Sequence, residues 1–352
     1  MKIAVSVIIP VYNMELYLKQ CLDSVCSQTL KNIEILCIND GSKDSSGQIL
    51  EEYAKRDKRI IVFHQNNSGV AASRNLGIKE AQGNYVIFMD PDDWYPENDI
   101  LEVLYQQAMK NNALICGGEF SDYNDATGEY GYNFLERYYG YTFEKEGFID
   151  YKDYQFDFGY QRFIFQRKML LENQLKFPLL LRFQDPPFLV KAMIIAERFF
   201  AIKKVTYCYR YGHRGNIWTN KKVEDLLEGL YLDLNLAIDK NLKKLESLTI
   251  TRLNEEFVDV IRDSLMRENW NVIEKLHQIY QISSDAQKEQ IRKIQLEELL
   301  QIIIQSNLDL QSKNNELETE ILDLRKSKTF KIGQLLIFIP QKIYWFMKQY
   351  CK

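Results

Sequence analysis

A chain of 352 residues has room for one large domain or two smaller ones, and its 46% hydrophobic and 27% charged residues are typical of a globular protein. The formal net charge of −4 argues against a protein that binds nucleic acid through a basic surface. The six cysteines form no C-x-x-C pair, and the three histidines do not flank them at the spacing of a zinc site. The N-terminal apolar run is too short for a signal peptide, so we expect a cytoplasmic protein with free thiols.

The first 118 residues alternate apolar runs with amphipathic segments. The apolar runs are rich in Val and Ile and bounded by turn residues, as buried parallel strands are. They lie at Ile3–Ile9, Ile33–Ile38, Ile60–Phe63, Tyr85–Met89 and Ala113–Cys116. Helices are predicted between them at Met14–Ser27, Ser45–Arg56, Val70–Ala81 and Asp99–Lys110. This β-α-β-α order predicts an α/β fold with a doubly wound, mostly parallel sheet, which binds ligands beyond the carboxyl ends of its strands.

The pattern changes beyond residue 118. Residues 119–220 are rich in aromatic side chains, and we predict an irregular segment that becomes partly helical. Residues 221–284 have the apolar spacing of amphipathic helices and are predicted to form a helical extension.

Residues 285–326 carry a heptad pattern that predicts a coiled coil. Leu or Ile recurs every seven positions from Leu296 to Leu324, and Asn307 and Asn314 fall in the complementary a series. A buried Asn at an a position selects two-stranded, in-register pairing, so we expect a parallel homodimer. The alternative is a long surface helix that packs on its own domain.

The last 26 residues, 327–352, are basic and aromatic. Gly333 and Pro340 interrupt the segment too often for a spanning helix. Tyr344, Trp345 and Phe346 are typical of a segment that lies at a membrane surface, and we expect peripheral contact with a membrane. The alternative is a C-terminal helix docked on its own protein.

Three polar clusters follow predicted strands. They are Pro10, Tyr12 and Asn13 after the first strand, Asp40 and Ser42 after the second, and Asp90, Asp92 and Asp93 after the fourth. Turn chemistry alone explains any one cluster. Because ligands bind beyond the carboxyl ends of such strands, three clusters at one edge favour a binding site.

The cluster Asp90-Pro91-Asp92-Asp93 predicts a metal site. Carboxylates this close repel one another unless a cation neutralises them. Mg²⁺ and Mn²⁺ bind carboxylate and phosphate oxygens together, so such a site would anchor a diphosphate and stabilise its charge as it leaves. The alternative is an acid-rich helix N-terminus, which favours the helix dipole.

The motifs of residues 4–94 resemble, in order and spacing, those of the family 2 inverting glycosyltransferases with the GT-A fold, which build bacterial capsule, lipopolysaccharide or teichoic-type glycans. The matching stretches are VSVIIPVYN, the helix ending SVCSQT, IEILCINDGSKDSS, NNSGVAASRNLGI, GNYVIFMDPDDW and, later, RFQDPPF. The resemblance implies transfer of a sugar from a nucleotide-diphosphate donor, typically a UDP-sugar, to a glycan or lipid-linked acceptor with Mn²⁺ or Mg²⁺. Residues 1–118 would bind the donor and 119–220 the acceptor, at the inner face of the cytoplasmic membrane.

The resemblance also implies roles for residues of the first two clusters. Pro10, Tyr12 and Asn13 would shape the pocket for the base, with Tyr12 near its ring. Asp40 would accept a hydrogen bond from the base, typically from uracil N3, and Ser42 belongs to the same donor-binding cluster.

The diphosphate side follows in the same way. Asn67, Gly69 and Arg74 belong to the stretch that closes over ribose and diphosphate, although Arg74 could instead form an internal salt bridge. Asp90 and Asp92 resemble the family's D-x-D pair, with Asp92 the better metal ligand.

An inverting transfer needs a carboxylate on the acceptor side to take the proton from the attacking hydroxyl. Asp185 matches the family's acidic pair, and Gln184 stands where the family often has a second acid, so Asp185 is the predicted base. The other reading of Asp185 is a helix cap. His213 is a candidate third metal ligand or a contact to the diphosphate, and the alternative is a structural histidine. Arg210 or Arg214 is a candidate for neutralising phosphate.

Other functions fit less well. A nucleotidyltransferase would carry a Gly-rich basic loop where this chain has PVYN, and a dinucleotide oxidoreductase would carry G-x-G-x-x-G. The non-enzyme alternative is an inactive relative that acts as an assembly partner through its coiled coil. The presence of Asp40, Asp90, Asp92 and Asp185 argues against it.

Overall fold

The computed structural model describes residues 2–131, 140, 142–213, 215, 217–267, 269–284, 287–288, 312–317 and 319. The chain forms two compact units, Met1–Gln295 and Leu296–Lys352. Within the predicted coiled coil, residues 287–288, 312–317 and 319 are helical, and the other positions lie outside the described residues, as does the tail 327–352. The dimer and the membrane contact therefore stay predictions.

The described part of the first unit contains one sheet of nine strands. They are β1 (Val5–Val11), β2 (Ile33–Asn39), β3 (Ile60–His64), β4 (Tyr85–Phe88), β5 (Ile115–Asn124), β6 (Glu129–Gly131), β7 (Gly147–Asp150), β8 (Phe163–Gln166) and β9 (Arg198–Tyr211). The order is β3-β2-β1-β4-β8-β5-β9-β7, and β6 pairs with β5. The neighbouring strands β3, β2, β1 and β4 are parallel to one another, whereas β8 runs antiparallel to both β4 and β5.

Eleven α-helices lie among the described residues up to Ile282. They are α1 (Leu18–Cys26), α2 (Ser46–Arg56), α3 (Val70–Glu80), α4 (Ile100–Lys110), α5 (Tyr151–Tyr154), α6 (Arg167–Glu172), α7 (Asp185–Ala196), α8 (Asn220–Asp239), α9 (Lys243–Thr251), α10 (Val258–Met266) and α11 (Trp270–Ile282). A 3₁₀ turn covers Tyr160–Arg162, and a π-helical segment covers Arg252–Glu256. None of the helices in the described ranges is long and apolar enough to cross a membrane.

The sheet has a hydrophobic core on each face, as the doubly wound prediction requires. Alternate residues of β1 show this, because Val7 and Ile9 belong to the core that includes α1, α2 and α4, while Ile8 faces the core that includes α3 and α7. Cys37 and Cys116 are buried in these cores. The cysteines that lie within the described residues are free thiols.

The helices and strands predicted for residues 1–118 are confirmed, and the prediction for residues 119–220 is wrong in part. The four predicted helices correspond to α1–α4 and the five predicted strands to β1–β5. Residues 119–220 are not irregular, because β5 continues to Asn124 and four more strands follow. Gly117 and Gly118 lie in the middle of β5, where strand propensity is poor. Packing overrides propensity there, since a Cβ on Gly117 would lie 2.0 Å from the Phe163 ring and one on Gly118 would lie 2.2 Å from Thr206.

The parallel register decides where the site lies. Val11 pairs with Asn39, and Ile8 pairs with Phe88, so β1, β2 and β4 end at one edge of the sheet. The residues that follow these three strands therefore share that edge.

The close approach at Gly117 is open to a stability test. We predict that Gly117→Ala lowers the free energy of unfolding by about 1–3 kcal/mol, because the added methyl group overpacks the Phe163 ring. Gly215→Ala is the matched control, since a Cβ at that position meets nothing within 4 Å. Urea denaturation measures both, and equal stability of the two variants would contradict the packing argument.

Candidate active site

The loops after β1 and β2 are joined by hydrogen bonds. Asn13 adopts a left-handed backbone conformation with φ of 52°, which Asn tolerates better than most residues. Its backbone N–H donates to Ser42 Oγ at 3.1 Å, and the N–H of Lys43 donates to Asn13 Oδ1 at 2.8 Å. Pro10 is buried in β1, whereas the side chain of Tyr12 is 41% exposed. The first two predicted clusters therefore form one surface with an available aromatic ring.

Asp40 is buried and organises the loop that leads into α3. Its Oδ1 accepts hydrogen bonds from Gln65 Nε2 at 2.6 Å and from the Ser68 N–H at 2.8 Å, and its Oδ2 accepts one from the Gly69 N–H at 2.9 Å. Gly69 has a φ of 89°, and Asn67 beside it is exposed. An ionised carboxylate has about four acceptor positions, so a further donor can still be accommodated.

The Asp90 carboxylate accepts hydrogen bonds from Arg74 and from two residues of the segment 119–220. Arg74 Nη2 donates to Asp90 Oδ1 at 2.8 Å, which is the internal salt bridge that the sequence left as an alternative. Tyr160 Oη donates to the same oxygen at 3.2 Å, and Gln161 Nε2 donates to Oδ2 at 2.9 Å. The Arg74 guanidinium, which is buried, also lies 4.9 Å from the Tyr160 ring centre and 5.2 Å from that of Phe177. Both Asp90 oxygens are thus engaged within the protein.

Asp92 pairs with His213. The distance from Asp92 Oδ2 to His213 Nε2 is 3.0 Å, and the Asp92 side chain is 18% exposed. Arg210 donates a hydrogen bond from Nε to the Asp92 carbonyl at 2.8 Å and forms an ion pair with Asp125, so it stabilises the acidic loop. Arg214 lies outside the described residues. Within those residues, no three His, Cys, Asp or Glu side chains are grouped to hold a metal ion by themselves.

Asp93 is fully buried and ties the acidic loop to β9. Its Oδ2 accepts a hydrogen bond from Tyr207 Oη at 2.6 Å, and its Oδ1 accepts one from the Arg210 N–H at 2.7 Å. Burial, and the nearby charges of Asp92 and Asp90, raise the pKa of Asp93 well above the ordinary value. Asp93 therefore supports the loop.

Asp185 is the first residue of α7 and is partly buried. Burial raises its pKa, and the positive charges of Arg74 and Arg182 oppose the rise. The structure thus brings a carboxylate from the second half of the chain into the electrostatic neighbourhood of Arg74 and Asp90.

Several residues of this site were not found by sequence reasoning. Tyr160 and Gln161 bind Asp90, and Tyr207 binds Asp93, but all three lie in the segment that was predicted to be irregular. The signal that could have found Tyr207 is the alternation of Tyr in the Tyr207–Tyr211 stretch, which is typical of a strand.

Comparison with known proteins assigns this fold and site to a class. Residues 6–172 match the model of glycosyl transferase family 2. The glycosyltransferase GlyA of Streptococcus pneumoniae is 34% identical over 236 residues, which are 64% of this chain and 33% of GlyA. Two Bacillus subtilis proteins also match. The uncharacterized glycosyltransferase EpsJ is 37% identical over 58% of this chain and 60% of EpsJ, and the putative glycosyltransferase EpsH is 34% identical over 69% of this chain and 71% of EpsH.

Solved structures share the fold at lower identity. Staphylococcus aureus TarS 1–349 in complex with UDP-GlcNAc has a TM-score of 0.65 and 19% identity, over 87% of this chain and 92% of that one. The mannosyltransferase PcManGT of Pyrobaculum calidifontis, in complex with GDP-Man and Mn²⁺, has a TM-score of 0.52 and 14% identity, over 83% and 79% of the two chains. The fold is therefore the GT-A fold of glycosyltransferases. This chain belongs to glycosyltransferase family 2.

The hydroxyl of Tyr207 is predicted to stabilise the acidic loop. Tyr207→Phe leaves a buried oxygen of Asp93 without its donor, so we expect a loss of about 1–3 kcal/mol in the free energy of unfolding. Tyr209→Phe is the control: both rings stack on Phe120, at 5.6 and 5.8 Å, but no hydrogen bond of the Tyr209 hydroxyl is found among the described residues. Thermal unfolding distinguishes the two, and equal losses would contradict this role.

Proposed function

We propose that this chain is an inverting glycosyltransferase that uses a UDP-sugar, binds its diphosphate with a divalent metal ion, and uses Asp185 as the general base. The observation that carries the proposal is that the loops after β1, β2 and β4 meet at one edge of the sheet, and that Asp185 lies near them. Asn13 and Ser42 join the first two loops, and Arg74 joins the third loop to the neighbourhood of Asp185.

The donor would lie along the loops after β1, β2 and β4. Tyr12 offers an exposed ring for the base, and Asp40 retains acceptor capacity on Oδ2 for a base N–H. Asn67 and Gly69 border the same loop, so ribose and diphosphate would follow towards Asp92. The complex of TarS 1–349 with UDP-GlcNAc supports a UDP-sugar as the donor.

Asp92 and His213 fit a divalent metal ion. Mg²⁺ commonly takes one or two protein ligands and completes its shell with water and substrate phosphates. Two adjacent ligands of an octahedral ion with bonds of about 2.1 Å lie about 3.0 Å apart. Asp92 Oδ2 and His213 Nε2 are 3.0 Å apart, which also suits a direct hydrogen bond. Asp90, whose carboxylate pairs with Arg74, occupies the first position of the D-x-D pair and is the other candidate ligand. The Mn²⁺ in the PcManGT complex supports the same reading.

The chemical step would place Asp185 opposite the leaving diphosphate. The carboxylate takes the proton of an acceptor hydroxyl, whose oxygen attacks the anomeric carbon. The new C–O bond forms as the bond from that carbon to the diphosphate oxygen breaks, and the nucleoside diphosphate leaves. When bound, the metal ion neutralises the charge that develops on the diphosphate. The positive charge of Arg74 opposes the rise that burial causes in the pKa of Asp185, and so favours the ionised form that accepts the proton.

The acceptor is proposed to be a hydroxyl of a growing surface glycan or a lipid-linked saccharide. The family relationship to GlyA and EpsH supports a bacterial setting of this kind, although the match spans only 33% of GlyA. The basic tail and the coiled coil would hold the enzyme as a dimer at the cytoplasmic face of the membrane.

Asp92→Asn tests the metal and the donor together. We expect a loss of sugar transfer on the order of 10²–10³-fold, because one stabilising contact to the leaving charge is removed. Calorimetric titration with UDP should show that added Mn²⁺ strengthens binding to the wild-type chain and not to this variant.

The control is Asp99→Asn, which removes a carboxylate at the start of α4 that pairs with Lys204. It should transfer sugar at the wild-type rate. Full wild-type activity in the presence of EDTA would rule out the metal proposal.

Asp185→Asn tests the base. Donor binding should persist, whereas turnover should fall by roughly 10²–10⁴-fold, the usual contribution of a positioned general base. Because the pKa of Asp185 is raised above 3.8 and only the ionised form accepts a proton, wild-type turnover should fall as pH is lowered through that raised value.

Glu197→Gln, just beyond the other end of α7, is the matched control and should keep the wild-type rate and pH profile. Near-normal turnover in Asp185→Asn would mean that another acid is the base. If UDP binding is lost as well, Asp185 has a structural role instead.

A further inference from the structure

Phe183, two residues before Asp185, has a backbone conformation that bulky residues rarely adopt. Its φ angle is 63° and its side chain is buried. A left-handed backbone at such a residue persists only where the surrounding structure holds it. Gln184 then precedes the helix and Asp185 opens it. The turn at Phe183 therefore sets where α7 begins and where the Asp185 carboxylate lies.

The helical extension holds Phe183 from two sides. A Cβ on Gly229 of α8 would lie 2.6 Å from the Phe183 carbonyl oxygen, so glycine is what allows α8 to approach this closely. The Phe183 ring centre is 5.6 Å from the guanidinium carbon of Arg252 and 6.0 Å from the ring centre of Phe257. A cation over an aromatic face is attractive, so Arg252 both packs on the ring and orients it.

Arg252 is itself buried and paired. Its side chain and that of Asp157 are each 1% exposed and form an ion pair, and Glu256 lies 3.4 Å from Arg252 Nε. Asp233, also fully buried, belongs to the same cluster. Burial raises the pKa of both Asp157 and Asp233, and the charge of Arg252 opposes the rise. Arg252 lies in the π-helical segment, a geometry that often marks functional sites.

Asp157 links this buried cluster to the residues that bind Asp90. It precedes Tyr160 and Gln161 by three and four residues, and these two side chains donate to Asp90 at 3.2 and 2.9 Å. Gln155 Oε1 accepts hydrogen bonds at 2.9 and 3.2 Å from two backbone N–H groups at the start of α9, which fixes the same segment to the extension.

We propose that Arg252 is a positioning residue for Asp185. It holds Phe183 in its left-handed turn and, through Asp157, holds the segment that binds Asp90. The helical extension lies beyond residues 6–172, which match the family model, yet it sets the geometry between base and donor. This inference rests on the proposed function, because it requires Asp185 to be the base.

Three variants test the inference in the full-length chain. Gly229→Ala pushes on the Phe183 carbonyl, Phe183→Leu removes the ring from Arg252, and the double variant Arg252→Met/Asp157→Asn removes both charges so that neither stays buried alone. We expect kcat to fall by about 10²-fold, since a small displacement of a reacting group has an effect of this size. In Gly229→Ala and Phe183→Leu, which leave Asp157 in place, the donor KM and the calorimetric Kd for UDP should not change.

Ile279→Ala, a buried residue of α11 that is not among the groups packed on Phe183, is the control for simple loss of stability. It should lower the melting temperature and leave kcat unchanged at a temperature where the chain is folded. Phe183→Leu changes only one apolar side chain, so it provides the answer if the double variant fails to fold.

The outcomes separate this inference from the proposed function. Normal kcat in Gly229→Ala and Phe183→Leu, beside an inactive Asp185→Asn, overturns the positioning role alone. A parallel loss of kcat, UDP binding and melting temperature in Gly229→Ala and Phe183→Leu also overturns it, because the effect would then be general destabilisation. A wild-type chain without turnover of UDP-sugars, or a fully active Asp185→Asn, overturns the proposed function and this inference together.

Discussion

The carboxylate of Asp90 joins two halves of the sheet that the chain builds separately. Strand β4, which ends just before it, pairs in parallel with β1 and antiparallel with β8. The carboxylate oxygens accept hydrogen bonds from Arg74 of the first half and from Tyr160 and Gln161 of the second. A charge withdrawn from water needs such partners, because its lost hydration is not otherwise offset. The requirement to satisfy Asp90 therefore ties Tyr160 and Gln161 to the parallel half of the sheet.

The environment gives different tasks to acids of the same residue type. Asp93 is fully buried between Tyr207 and the Arg210 backbone, so it supports the loop. The side chain of Asp92, one residue earlier, is partly exposed to solvent and lies against His213. Burial raises the pKa of Asp185, and the nearby positive charge of Arg74 opposes that rise. These different environments would let one fold keep a structural acid, the proposed metal ligand and the proposed base close together.

Aromatic side chains form much of the core around residues 119–220, whereas Val and Ile form much of it around the parallel strands. Phe177 and Phe188 stack with ring centres 3.9 Å apart, and Phe88 at the end of β4 lies 5.6 Å from both Phe188 and Tyr160. The rings of Tyr160 and Phe177 also flank Arg74. Since an aromatic face can cover a guanidinium, this core tolerates the buried cation that serves Asp90. The aromatic composition is thus largely a property of the core around the site.

The amino-acid sequence by itself determined the parallel half of the fold and the edge where the site lies. Strand period, turn residues and the order of elements are local signals, and the rule that ligands bind at the carboxyl ends of parallel strands turned them into a location. Tertiary structure alone decided strands β6–β9 and the continuation of β5 through Gly117 and Gly118, which are poor strand residues that only packing on Phe163 and Thr206 explains. It also decided that Arg74 pairs with Asp90. The contact of Arg252 with Asp157 spans 95 residues, and no local pattern encodes a partner that distant.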